Sequence, residues 1–337
     1  MKKVFVLALA LVVAGLAFAG GGQQAGGGAA KPVVVQIGYE NNPGEPVDLA
    51  AHEWKRVLEE LSGGTMSVEL FPSNQLGSKD QIMDQMLAGM NVITLADGGF
   101  FADRGAPDMG IVVAPYFFAS WDEVWKLQTS DWWKGQEKIL AGKGLQVLAA
   151  NWMYGDRHTL NKRPIRTVAD WAGQKIRSPN NTAQIKGLEI MGAQPTPLPL
   201  GEVYTALQQG VVDGVENPLT VLYGQKFYET AKYLTLDGHI RMFTAWFCGT
   251  QWYNTLTPQQ QQWVAEAGVA AGRFNNNLVE NAAQEYIDAF KKEGVEIIEI
   301  DVAAFQAKAR PYYDLPEFTS VWSKGLYETA SKAKALQ

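Results

Sequence analysis

Between Val33 and Ala96 the sequence alternates strand and helix patterns, and this alternation limits the possible folds more than any other feature. Val33 to Tyr39 is a nearly continuous apolar run, the pattern of a strand covered on both faces. After a polar turn, Val47, Ala51, Trp54, Leu58 and Leu61 recur at helical spacing up to a stop at Gly63-Gly64. Met66, Val68 and Leu70 alternate as a second strand, and Ser78 is placed to cap a helix burying Ile82, Met86 and Met90. Asn91 to Ala96 is a third strand, ending at Asp97-Gly98-Gly99. Strands separated by helices form a parallel sheet with right-handed crossovers, and ligands of such sheets sit beyond the carboxyl ends of the strands. Those ends are the turn at Glu40 and the turn at Asp97.

A second unit follows. Leu145 to Trp152 is a strand that runs into Asn151-Trp-Met-Tyr-Gly-Asp-Arg-His158. Gly173-Gln-Lys-Ile-Arg177-Ser-Pro and Val212-Asp-Gly-Val-Glu-Asn217-Pro repeat the theme of a short apolar strand entering a polar turn. Two of these ends carry Arg157 and Arg177, and the third carries Asn217. A guanidinium is a flat, permanently charged fork that matches a carboxylate with two parallel hydrogen bonds. Convergence of the three side chains on an acid ligand is one arrangement. Pairing of the arginines with nearby acids such as Asp156 and Glu216 is the other. Asn181 caps a further helix, Pro195 to Pro199 is an extended connector, Glu202 to Gln209 is a short helix, and Val211 to Val215 is a strand.

From Thr257-Pro258 a helical pattern continues to Lys292, with Gly268 and Gly272 as its only weak points. A helix of about 35 residues, roughly 50 Å long, suits a spine lying across two units.

Lys2 and Lys3 precede an apolar run from Val4 to Phe18, and Ala17-Phe18-Ala19 is a small-x-small exit, the pattern of a secretory signal over residues 1–19. Residues 20–32 read as a flexible leader. The net charge is already −6, and no basic stripe is present, which argues against nucleic acid as partner. The single cysteine, Cys248, lies among Trp246, Phe247 and Trp252 and reads as core. His52, His158 and His239 lack zinc spacing, and a Gly-x-Ser-x-Gly elbow is missing. No pair of acids stands out for hydrolysis. An exported enzyme is therefore the weaker expectation, and no metal or cofactor is called for.

Several blocks together resemble the substrate-binding proteins of TRAP transporters, the tripartite periplasmic carriers driven by an ion gradient. They are Phe71-Pro-Ser-Asn-Gln-Leu-Gly77, Gly155-Asp-Arg157-His-Thr-Leu-Asn161, Asp170-Trp-Ala-Gly-Gln-Lys-Ile-Arg177 and Glu202-Val-Tyr-Thr-Ala-Leu-Gln-Gln-Gly-Val-Val-Asp-Gly-Val-Glu-Asn-Pro218. The resemblance runs from about Val33 to beyond Tyr312. It implies an α/β, two-lobed periplasmic binding protein of type II-like architecture, with hinge strands and a long helix spanning both lobes. The lobes would be 33–154 with 243–282, and 155–242 with 283–337. It further implies that Arg177 holds a ligand carboxylate, that Arg157 supports it and that Asn217 donates from the same lobe. In the other lobe Asp97 matches a position where family members hold ligand hydroxyls or amines, the turn at Glu40 lies on the same rim, and Trp152, Tyr223 and His239 complete the candidate set. The implied partners are a small organic acid and the subunits of a TRAP membrane permease. The protein would act in the periplasm after cleavage of its signal, as a monomer. Trp171-Ala172 departs from the usual aliphatic and lysine. Leu200 stands near where sialic-acid binders place an aromatic ring, which disfavours sialic acid. The block around Arg157 is most similar to members that bind sugar acids and keto sugar acids. A C4-dicarboxylate or keto-acid binder, or a ligand-sensing adaptor, is the alternative.

Overall fold

The computed structural model describes residues 32–335. The expected signal, residues 1–19, and all of the expected leader except Pro32 lie outside the described residues. One sheet holds nine strands among the described residues: β1 (Val33–Gly38), β2 (Met66–Phe71), β3 (Val92–Ala96), β4 (Leu145–Asn161), β5 (Lys175–Ser178), β6 (Gln194–Pro197), β7 (Gly214–Pro218), β8 (Tyr233–Gly249) and β9 (Glu296–Ile298). Their order is β2-β1-β3-β8-β4-β7-β5-β6, with β9 beside β8.

The order has an internal logic. At one side β1 pairs in parallel with β2 and β3. At the other, β5 pairs in parallel with β6 and β7. Between these trios run β4 and β8, each 17 residues long and antiparallel to one another. One end of the β4–β8 ribbon borders β3 and the other borders β7. Register shifts between Val147 and Ala149, Ala149 and Trp152, Met153 and Gly155, and Arg157 and Thr159 bend it along its length.

Apolar packing divides in the same way. Two clusters surround the first trio. One contains Trp54, Trp152, Trp246 and Cys248; the other contains Phe101, Phe118, Trp133 and Phe247. Cys248 is thus a core residue. Two further clusters surround the second trio, around Leu160, Val215, Phe227 and Phe290, and around Ile165, Trp171, Ile176 and Phe305. The terminal segment returns to the first trio, where Tyr312, Phe318 and Leu326 join the cluster of Phe117 and Phe243.

Local signals placed most helices. Pro46–Leu61 starts on proline and buries Val47, Trp54 and Leu58. Lys79–Leu87 starts with a capping box between Ser78 and Gln81. It buries Ile82 and Met86 but ends before Met90, which is 46% exposed.

Three expectations are corrected. The helix from Pro258 is not continuous to Lys292: it runs from Pro258 to Val279, turns through Glu280–Ala282 and resumes as Ala283–Lys292. The break avoids both suspected glycines. Gly268 instead permits close packing, since a Cβ there would lie 2.6 Å from the Trp54 ring. The strand expected over Leu145–Trp152 continues to Asn161, because its second half pairs with both β7 and β8. The strand expected over Val211–Val215 begins only at Gly214, because Asp213 is held by the backbone of Lys175 as the chain enters β7.

Candidate functional site

Beyond the carboxyl ends of both trios lies a cavity of about 230 Å³. One wall follows from the first trio: Glu40 after β1, Lys79 in the first helical turn after β2, and Asp97 with Phe100 after β3. The facing wall comes from the second: Arg177 in β5, Asn180 just past it, Pro197 at the end of β6 with Leu198–Leu200 after it, and Asn217 in β7. Tyr154 and Arg157 from β4, with Met242 and Thr244 from β8, line it where the ribbon passes between the walls.

The two arginines differ in their partners. Arg157 is clasped by Glu216: Nε donates to Oε2, and Nη2 donates to Oε1 at 2.7 Å and to the Glu216 carbonyl at 2.9 Å. Behind them, His239 lies 3.2 Å from Glu216 and 3.3 Å from Asp237. Burial alone would raise Glu216, but Arg157 and His239 outweigh it and hold its carboxyl at about 2. Burial likewise disfavours a charged His239, yet Asp237 and Glu216 push it up to about 9. Asp156 is committed elsewhere, with two 2.8 Å hydrogen bonds from Arg241.

Arg177 has no such clasp. Its Nε and Nη2 both donate to the Leu198 carbonyl, at 2.9 and 2.7 Å. The acids that act on it, Glu40 and Glu216, are salt-bridged to Lys79 and Arg157. Burial therefore prevails and pushes Arg177 down to about 10, with Glu40 and Glu216 opposing. Asp97 is the reverse case. Its carboxylate accepts from Gly99 N–H at 2.9 Å and Gln184 Nε2 at 3.0 Å, and burial raises it against the pull of Lys79 and Arg157. Two buried polar atoms of lining residues, Asn217 Oδ1 and Thr244 Oγ1, have no hydrogen-bond partner in the protein.

The two walls also touch directly. Asn180 donates to Asp80 at 3.0 Å, Thr182 N–H donates to Asp103 at 2.9 Å, and Gln184 reaches Asp97. At the opposite rim Asn42 donates to the Gly224 carbonyl at 3.2 Å and Gln225 to Glu45 at 3.2 Å. These contacts hold the walls together.

Residues 37–319 match the model of the bacterial extracellular solute-binding protein family 7. The chain belongs to that family. Among curated relatives, the 2,3-diketo-L-gulonate-binding periplasmic protein YiaO of Escherichia coli K12 is 31% identical over 273 residues, 80% of this chain and 83% of that one. Among solved structures, a TRAP periplasmic solute-binding protein from Ochrobacterium anthropi with bound L-fuconate has a TM-score of 0.87 and 42% identity, over 90% of this chain and 99% of that one. Another, from Actinobacillus succinogenes 130z with bound L-galactonate, has a TM-score of 0.87 and 35% identity over the same shares. This family 7 member thus has the two-lobed α/β fold of TRAP periplasmic binding proteins.

Of the eight candidate residues, this solute-binding protein brings Arg157, Arg177, Asn217, Asp97 and Glu40 to the cavity. Trp152, Tyr223 and His239 do not line it. Trp152 is core, with its indole N–H on the Gly268 carbonyl at 3.0 Å. Tyr223 lines a separate hollow with Glu45 and Tyr286. His239 stands one layer back, beside Glu216. Sequence reasoning missed Lys79, Tyr154, Asn180 and Thr244. Lys79 and Asn180 each adjoin a recognised helix cap, Ser78 and Asn181, and that proximity was a usable signal. Nothing in the local pattern marked Tyr154 or Thr244.

Proposed function

We propose that this protein captures a sugar acid with one carboxylate, of the aldonate kind, and delivers it unchanged to the membrane permease of a TRAP transporter. The carrying observation is Arg177, a buried guanidinium served by a single carbonyl and facing a cavity with unpartnered polar atoms. A ligand carboxylate would supply the missing counter-charge, and hydroxyls would meet Asn217, Thr244, Asp97 and Glu40. Bound L-fuconate and L-galactonate in two similar proteins support an aldonate. The distribution of charge supports a single carboxylate: the arginines come from the second trio and the ribbon, while the lining acids Glu40, Asp80 and Asp97 all follow strands of the first trio, with Lys79 among them.

The same reading makes the protein a non-catalytic, monomeric carrier in the periplasm, exported by residues 1–19. A thermal-shift panel tests the ligand class. L-Fuconate and L-galactonate should raise the melting temperature of the mature protein; succinate and neutral sugars should not. Stabilisation by succinate alone would overturn the reading.

A further inference from the structure

We propose that the Glu40–Lys79 ion pair sets the charge class of the ligand, restricting the cleft to acids with one carboxylate, and that removing the charge of Glu40 admits a second. This rests on the sugar-acid reading above and adds the residue that excludes diacids.

Glu40 Oε2 lies 2.8 Å from Lys79 Nζ, with side chains only 13% and 11% exposed. The ammonium also donates to the Leu95 carbonyl at 3.0 Å and sits 5.3 Å from the centre of the Phe100 ring. Lys79 is therefore held on several sides, and its charge is already matched. Glu40 stays ionised: burial would raise it, but Lys79 and Arg177 pull it below the usual carboxylate range. Asp97 beside them accepts only from neutral donors. This wall has two carboxylates against one ammonium. On the ribbon Arg157 is balanced by Glu216, which leaves Arg177 on the facing wall as the surplus cation.

A monoanion fits this distribution. Its carboxylate meets the surplus guanidinium, and its hydroxyls both donate to Glu40 and Asp97 and accept from Lys79. A carboxylate can only accept, so a diacid would bring its second charge against Glu40 and Asp97. Asp80 also lines the cavity; Arg104, which it shares with Asp84, matches its charge only in part, so it adds to the repulsion. Specificity built from such repulsion acts against the wrong partner rather than for the right one. Glu40→Gln would keep the shape, remove one negative charge and leave Lys79 available.

L-Galactonate and galactarate test this, since they share six carbons and differ at one end, hydroxymethyl against carboxylate. Their dissociation constants are measured by calorimetry for the wild type, Glu40→Gln and Asp97→Asn. The expected wild-type preference for galactonate is about 100-fold, narrowed at least tenfold in Glu40→Gln through tighter galactarate binding. Asp97→Asn should narrow it too, and it carries the test alone if Glu40→Gln does not fold. Equal wild-type affinity for both acids, or a ratio unchanged within about twofold in the folded variants, overturns the inference. Failure of the wild type to bind either acid would remove the underlying reading, and this inference with it.

Discussion

Arg157 and Arg177 are the same residue type in opposite circumstances. Arg157 has a bidentate carboxylate, so its role is fixed by Glu216; Arg177 has a carbonyl, so its charge is available. Breaking a buried ion pair from one side leaves an uncompensated charge and costs roughly 3–5 kcal/mol. Glu216→Gln should therefore lower stability by about that amount in denaturant titrations, whereas Asp170→Asn, at an exposed turn, should lose far less. The network also shapes the response to pH. Glu216 is held below its ordinary 4.5, so its contribution is present above 4.5 and lost as pH falls through about 2. His239 is raised from 6.5, so its contribution is complete below 6.5 and lost as pH rises through about 9. Glu45 acts separately. Burial raises it to about 7, against hydrogen bonds from Asn41, Asn42 and Gln225. Its charged form thus burdens the fold above 7, and protonation relieves that burden between 7 and 4.5. The melting temperature should be highest near pH 4.5 and fall as pH rises, and Glu45→Gln should flatten the decline between pH 4.5 and 7. A wild-type maximum above pH 8 would contradict these assignments. The sequence disclosed the arginines because each stands where a short apolar strand pattern enters a polar turn. It offered Glu216 as a partner for either arginine but not which one, because the pairing of β4 with β7 decides that Arg157 takes it.

Elements were legible where their signals were local. Ser78, Asn181 and Thr257 each accept a backbone N–H at the start of the expected helix. The break at Glu280–Ala282 has no such signal. It contains neither glycine nor proline, and tertiary packing decides it: Phe290 must reach the cluster of Phe227, while Val264 and Ala271 stay with Trp54. The second half of β4 was hidden for the same reason, since its partners come from β7 and β8. Gly155 lies where β4 crosses between the trios, at φ 127°, and a Cβ there would stand 2.9 Å from Pro218. Gly155→Ala should cost more than about 1 kcal/mol, from backbone strain and the clash together. It should also weaken acid binding although it lies outside the cavity lining. A variant as stable as the wild type would show that this crossing tolerates a side chain.

At the scale of the molecule, the expected second lobe of 155–242 with 283–337 is revised, because Tyr312, Phe318 and Leu326 pack with Phe117 and Phe243: we propose lobes of 33–154 with 243–282 and 312–335, and of 155–242 with 283–311. The cleft between them is closed by Asn180, Thr182 and Gln184 on one rim and by Asn42 and Gln225 on the other. A ligand shifts such a protein between open and closed states only by its difference in affinity for the two. On the function proposed above, Arg177 would provide that difference, because closing the cleft without an anion leaves its charge in a poorly solvating site. The two-trio plan was legible from the alternation of strands and helices. The union of all nine strands in one sheet was not, because long-range pairing of β4 with β8 makes it. The most direct test is calorimetry with L-galactonate and its neutral counterpart galactitol, on the wild type and Arg177→Ala. The account predicts that the wild type binds the acid at least about 100-fold more tightly than the alditol, and that Arg177→Ala loses most of this difference while remaining folded. Equal binding of acid and alditol by the wild type, or an undiminished preference in Arg177→Ala, would contradict it.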